Sequence, residues 1–190
     1  MSDSKVTQQM KDNDDPETQQ LQWYAVYCKS RHEKKVAKQL GEKGIEHYLP
    51  LKREVRQWSD RKKTVEIPLF RSYIFVHIPH QMQIPVLETY GAVAFVKFSG
   101  KLVPIPDAQI EAVRIIEEYG ADIQPESVDE FELQDRVKVL EGPCKDLEGY
   151  LVHRKKGDRF VVMIDTINLG ASVEINKRWL EKIGEESGAE

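Results

Sequence analysis

Between Arg136 and Ile183 five short β-like runs, RVKVL, GYLVH, RFVVMI, SVEIN and WLEKI, are broken by Gly142-Pro143, Gly157-Asp158 and Leu169-Gly170. Runs this short and this closely spaced leave little room for a helix and predict a small antiparallel barrel. Glycine supplies positive φ or a close backbone approach where such a barrel bends, which accounts for Gly142 and Gly149. The segment GPCKDLEG lacks the Gly-Lys-Ser/Thr ending that would hold phosphate and magnesium, so its glycines are read as corners, not a catalytic loop.

The residues before this unit follow a different pattern. Residues 1–20 are polar and rich in Gln and Asp, too poor in apolar side chains to repay ordering, and are expected to form a disordered leader. QWYAVYC then reads as a strand. From Arg31 to Lys43 the apolar Val36, Ala37 and Leu40 recur at helical spacing, with Lys34, Lys35 and Lys38 elsewhere around the axis. IEHYLPL is extended, and KREVRQWSDRKKTVEIPLF reads as a basic hairpin turning at Ser59-Asp60. SYIFVHI and AVAFVKF are strands on either side of a short crossover interrupted by Pro85. Asp107 opens a helix to Tyr119 with Ile110, Val113 and either Ile116 or Ile115 on its buried stripe. Strands with two helices packed on one face give an α+β sandwich over residues 21–120. Residues 121–132 read as a linker, 133–184 as the barrel and 185–190 as a tail.

The net charge of −4 conceals an asymmetry. Residues 29–63 hold twelve Lys or Arg against five Asp or Glu, a local charge of +7, whereas residues 107–135 hold ten acids against Arg114 alone, a local charge of −9. Clustered positive charge concentrates polyanions, while the overall acidity argues against indiscriminate nucleic-acid binding. No run reaches the roughly 18 to 20 apolar residues of a membrane span, and a cytoplasmic location is expected. Cys28 and Cys144 stand alone without metal-ligand spacing. No spacing places a nucleophile, acid and base together, so an enzyme, a cofactor and a metal are not expected.

The segments WYAVYCKSRHEKKV, VEIPLFRSYIFVHI, AVAFVKF and VPIPDAQIEAV resemble the N-terminal (NGN) domain of the NusG family, and DRVKVLEGPCKDLEGYLV resembles its KOW motif. The resemblance covers residues 22–184. It implies an NGN α/β sandwich followed by a small SH3-like KOW β-barrel. WYAVYCK and the basic hairpin are more similar to specialised RfaH- and UpxY-like members than to the housekeeping protein.

The resemblance further implies a transcription elongation and antitermination factor. It would dock on the clamp helices of the largest RNA polymerase subunit and suppress pausing and termination, on specific operons and as a monomer. Implied polymerase-binding residues are Tyr27, Phe70, Tyr73, Phe75, Phe95 and Phe98, with Tyr73 and Phe75 two apart and so on one face of a strand. Lys29, Arg31, Lys35 and Gln39 would contact the non-template DNA strand, supported from the hairpin by Arg56, Trp58, Arg61, Lys62 and Lys63. Two other readings stay open: a general NusG coupling transcription to Rho or to a ribosomal protein through the barrel, and a KOW-type RNA-binding module. The sequence departs from the family at Arg71-Ser72, where many members carry Pro-Gly, at residues 79–90, which lack a His-Thr-Thr element, and at Cys144, where an aromatic is common.

Overall fold

The computed structural model describes residues 20–58, 61–119, 122–127, 135–154 and 157–183. The expected leader, apart from Gln20, the hairpin tip Ser59-Asp60 and the expected tail lie outside the described residues.

Strand β1 (Leu21–Cys28) runs antiparallel between β5 (Tyr73–Pro79) and β6 (Ala92–Phe95), and β2 (His47–Tyr48) extends the sheet beyond β5. From Trp23 to Val26 every residue of β1 is buried, so both faces of the sheet need cover. Alternation sorts them: Trp23 and Ala25 join Phe75 in one apolar cluster, while Tyr24, Val26 and Cys28 join Ile74 and Val76 in another. Helix α1 (Glu33–Glu42) gives Val36 and Leu40 to the second cluster. After the short α2 (Gln83–Leu87), helix α3 (Asp107–Tyr119) gives Ile110, Val113 and Ile116 to the first. The two main helices therefore cover opposite faces of the sheet, which corrects the expectation of both on one face. The physical reason is the two-sided burial of β1 and β5, which one layer of helices would leave half exposed.

The basic hairpin forms as expected from β3 (Leu51–Gln57) and β4 (Lys62–Pro68), a separate two-stranded sheet. A smaller ribbon pairs β7 (Lys97–Phe98) with β8 (Lys101–Leu102).

Among the described residues the second unit has six strands where five were expected. Strand β9 (Gln124–Ser127) lies in the expected linker, and it precedes β10 (Asp135–Val139), β11 (Glu148–Arg154), β12 (Gly157–Ile164), β13 (Leu169–Glu174) and β14 (Leu180–Lys182). Their order in the sheet is β14-β10-β11-β12-β13-β9. Residues 124–127 are therefore structure and not tether, and the reason is polar. Glu126 is 6% exposed, and its carboxylate accepts from the Ser172 hydroxyl at 2.7 Å and from the Arg154 guanidinium. Arg159 in turn donates to Ser172 at 2.8 Å and to Asp122 at 2.9 Å. Both roles of the corner glycines are realised: Gly142 has φ +84°, and a Cβ on Gly149 would stand 2.3 Å from the Val161 carbonyl oxygen.

The barrel packs back on the first domain. The cluster that holds Phe70, Phe75 and Ile110 continues into Val137, Phe160, Val162 and Ile164 of the barrel. Around this apolar seam Gln109 donates to Asp165 at 2.6 Å, and Lys52 donates to Gln124 at 2.9 Å.

Candidate nucleic-acid interface and docking surface

The basic residues of α1 separate into two groups once their partners are traced. Lys34 donates to the Glu66 carbonyl of β4 at 2.7 Å, Lys38 pairs with Glu42, and Lys43 donates to the Pro85 carbonyl at 2.8 Å and the Thr89 hydroxyl at 2.9 Å. Lys34 and Lys43 thus tie the helix region to its surroundings, whereas Lys38 pairs within the helix. Lys29 and Lys35 instead converge on the ring of Tyr90, with Nζ atoms 5.3 Å and 4.5 Å from its centroid. Gln39 joins them by donating to the carbonyls of Lys35 and Tyr90, each at 3.1 Å. Three of the four expected nucleic-acid contacts thus gather around one aromatic. Arg31, exposed and at φ +62°, sits beside His32, whose ring lies 5.7 Å from that of Tyr90.

Tyr90 and His32 were not singled out from the sequence. Tyr90 follows a short crossover with no periodicity of its own, and nothing in the order of residues places position 90 over position 35. The hairpin carries a second exposed aromatic, Trp58, with Lys63 Nζ 5.4 Å from its ring centroid.

The six aromatics expected to face polymerase divide by burial. Phe70, Phe75 and Phe95 are each at most 5% exposed, so none offers contact area in this conformation. Phe75 lies edge-on to Phe70 at 6.0 Å inside the cluster shared with the barrel, and Phe95 packs against Tyr24 in the other cluster. These three lie in the core in this conformation. Tyr73 and Phe75 do share a face, but it is the face that α3 and the barrel cover. Tyr27 and Tyr73, directly opposite one another across β1 and β5, form an edge-on pair 5.6 Å apart at the rim. Tyr27 is 45% exposed, and Phe98, on the β7-β8 ribbon, is 77% exposed.

The departure at Arg71-Ser72 resolves into a left-handed turn. Ser72 adopts φ +64°, the conformation a glycine would take without cost, and its N–H donates to Glu33 Oε1 at 2.7 Å. Glu33 is buried for this purpose. The burial of the Cys28 thiol itself, and after it the neighbouring Glu33 charge, pushes that thiol up to about 12, and burial also raises that of Cys144. In both, burial disfavours the thiolate that a nucleophile would need.

Among the described residues no helix is long and apolar enough to cross a membrane. The family model for transcription termination factor NusG matches residues 21–114, the segment that carries the sheet, the hairpin and the Tyr90 cluster. The transcription termination/antitermination protein NusG of Bacillus subtilis (strain 168) is 31% identical over 140 residues, covering 67% of this chain and 78% of that protein. A solved structure of domain interaction in Thermotoga maritima NusG covers 87% of this chain and 98% of its own, with 23% identity and a TM-score of 0.51, a likeness of fold. With this N-terminal match and 31% identity across 78% of the Bacillus subtilis protein, the chain belongs to the NusG family of transcription termination and antitermination factors.

Proposed function

We propose that this chain rides on elongating RNA polymerase and suppresses pausing and termination on particular operons. The observation that carries the reading is the convergence of Lys29, Lys35 and Gln39 on an exposed aromatic, within the segment that matches the family. Lys34 and Lys43 anchor the helix, whereas Lys29 and Lys35 lie over an exposed ring and are available to meet phosphates of the non-template strand. Docking on the clamp helices of the largest subunit falls to Tyr27, Tyr73 and Phe98, which are the accessible members of the aromatic set. Phe70 joins them only after the barrel leaves the first domain, because both share one cluster.

Polymerase occupancy mapped across the genome with and without the protein tests the reading. A change confined to one or a few operons is expected. A change spread evenly over all transcription units would instead favour the general NusG reading with Rho or the ribosome, and no change at all would reject both.

A further inference from the structure

Tyr90 is 57% exposed although both its neighbours, Thr89 and Gly91, are buried. An aromatic presented this way is normally mobile, yet the backbone here is fastened from several sides. Gln39 Nε2 donates to the Tyr90 carbonyl at 3.1 Å, the Lys29 N–H donates to the Gly91 carbonyl at 2.8 Å, and Lys43 holds the Thr89 hydroxyl. Gly91 has φ +105°, and a Cβ there would stand 3.0 Å from Val36 Cγ2 and 3.1 Å from His32 Cβ. The segment therefore lies directly on α1, and the Nζ atoms of Lys29 and Lys35 stand 5.3 Å and 4.5 Å from the ring centroid.

The role of Gln39 changes with this geometry. Its amide nitrogen has two hydrogens, and they are directed at the carbonyls of Lys35 and Tyr90. It has no donor left for a base edge and acts as a positioning residue for Tyr90. The ring is the group free to meet a base. Contact between an ammonium and an exposed ring is weaker than base–aromatic stacking, so a base can take an ammonium's place and free that cation for the adjoining phosphate. In a duplex the faces of the bases are already stacked, which selects a single strand as ligand.

We propose that Tyr90 is a stacking platform for one unpaired base of a single-stranded nucleic acid, with Lys29 and Lys35 on the flanking phosphates and Gln39 holding the platform in place. The proposal rests on the nucleic-acid reading above and names the residue that meets the base.

The test measures fluorescence anisotropy of the full chain with labelled oligodeoxyadenylate, oligoriboadenylate and an abasic deoxyribose-phosphate oligomer, each about nine nucleotides long, over a range of salt. Tyr90→Ala should weaken binding to the adenylates by about ten-fold or more and leave the abasic oligomer within about two-fold. Tyr90→Phe should keep parental affinity, since the ring and not the hydroxyl does the stacking. Gln39→Ala should weaken adenylate binding in the parent but add nothing in the Tyr90→Ala background, because it acts through that ring. The tighter of the two adenylates identifies DNA or RNA as the natural source. Parental affinity of Tyr90→Ala for both adenylates, an equal loss on the abasic oligomer, or an additive Gln39→Ala effect would overturn the platform. Replacing Lys29, Arg31 and Lys35 by Gln separates the two levels: a flattened salt slope alongside a silent Tyr90→Ala leaves the basic contact standing without the platform. An unchanged slope together with that silence rejects both, as does a parent that binds none of the oligomers at low salt.

Discussion

At the scale of single residues, position 72 shows how a departure from a family pattern can be absorbed. A left-handed φ costs a non-glycine residue roughly 1–2 kcal/mol, and the short hydrogen bond from Ser72 to the buried Glu33 holds the turn against that cost. Ser72→Gly removes the strain while adding about 0.5–1 kcal/mol of unfolded-state entropy, so a net gain of about 0.5 kcal/mol is expected in urea unfolding. Ser72→Val, β-branched at positive φ, should lose stability under the same conditions, and equal midpoints for the two variants would show that the turn is unstrained. The paired aromatics divide just as sharply. Phe75→Ala empties a fully buried site and should cost about 3–5 kcal/mol. Tyr73→Ala at the rim should cost less than about 2 kcal/mol and act mainly on polymerase retention in a pull-down. If the Tyr73 variant retains polymerase as well as the parent, the rim is not the docking surface. A period of two placed these residues on one face but carried no information about what lies over that face. That depends on a second domain some sixty residues or more further along the chain.

At the scale of elements, the legible parts were those with a period. Helices α1 and α3, the hairpin and the barrel strands all follow from apolar spacing and turn residues. The opposite placement of the two helices was legible in principle as well, because four consecutive buried residues in β1 require cover on both sides. Strand β9 was not, since its residues are polar and its pairing is fixed by Glu126, Ser172 and Arg159, which meet only in the folded barrel. That network makes the attachment of β9 sensitive to acid. Hydrogen bonds from Gln124 first and from Arg159 next hold the Asp122 carboxyl below the usual carboxylate range. A carboxyl depressed in the folded state contributes stability that is complete at neutral pH and is lost as pH falls below about 4. Asp158 is lowered too, by Lys177 and then His153. The melting temperature should therefore fall between neutral pH and about pH 3, and Asp122→Asn should reduce the size of that fall without abolishing it. Superimposable profiles for parent and variant would mean that Asp122 titrates alike in the folded and unfolded chain.

At the scale of the whole molecule, the barrel and the sheet are joined over an apolar seam on which Phe70 lies. The turn carrying Phe70 and Arg71 borders one cleft with Pro125 of β9 and Leu169 of β13, so under the proposed docking the barrel covers Phe70. Helix α3 serves both sides at once. Ile110, Val113 and Ile116 point into the sheet, whereas Gln109 and Ala112, one turn apart, border a cleft with Val162 and Asp165 of the barrel. Ala112→Arg should consequently force the barrel away while leaving the helix intact, because arginine is a good helix former and the inward stripe is untouched. Small-angle scattering would register the separation as a larger radius of gyration, and circular dichroism would confirm that both domains remain folded. Under the proposed docking, the opened protein exposes Phe70 and retains polymerase in a pull-down more strongly than the parent, by about three-fold or more if the closed form is the main species. Adding Phe70→Ala to the opened protein should cancel that gain. An opened protein that holds polymerase no better than the parent would place the docking surface away from the seam, on Tyr27 and the Phe98 ribbon alone.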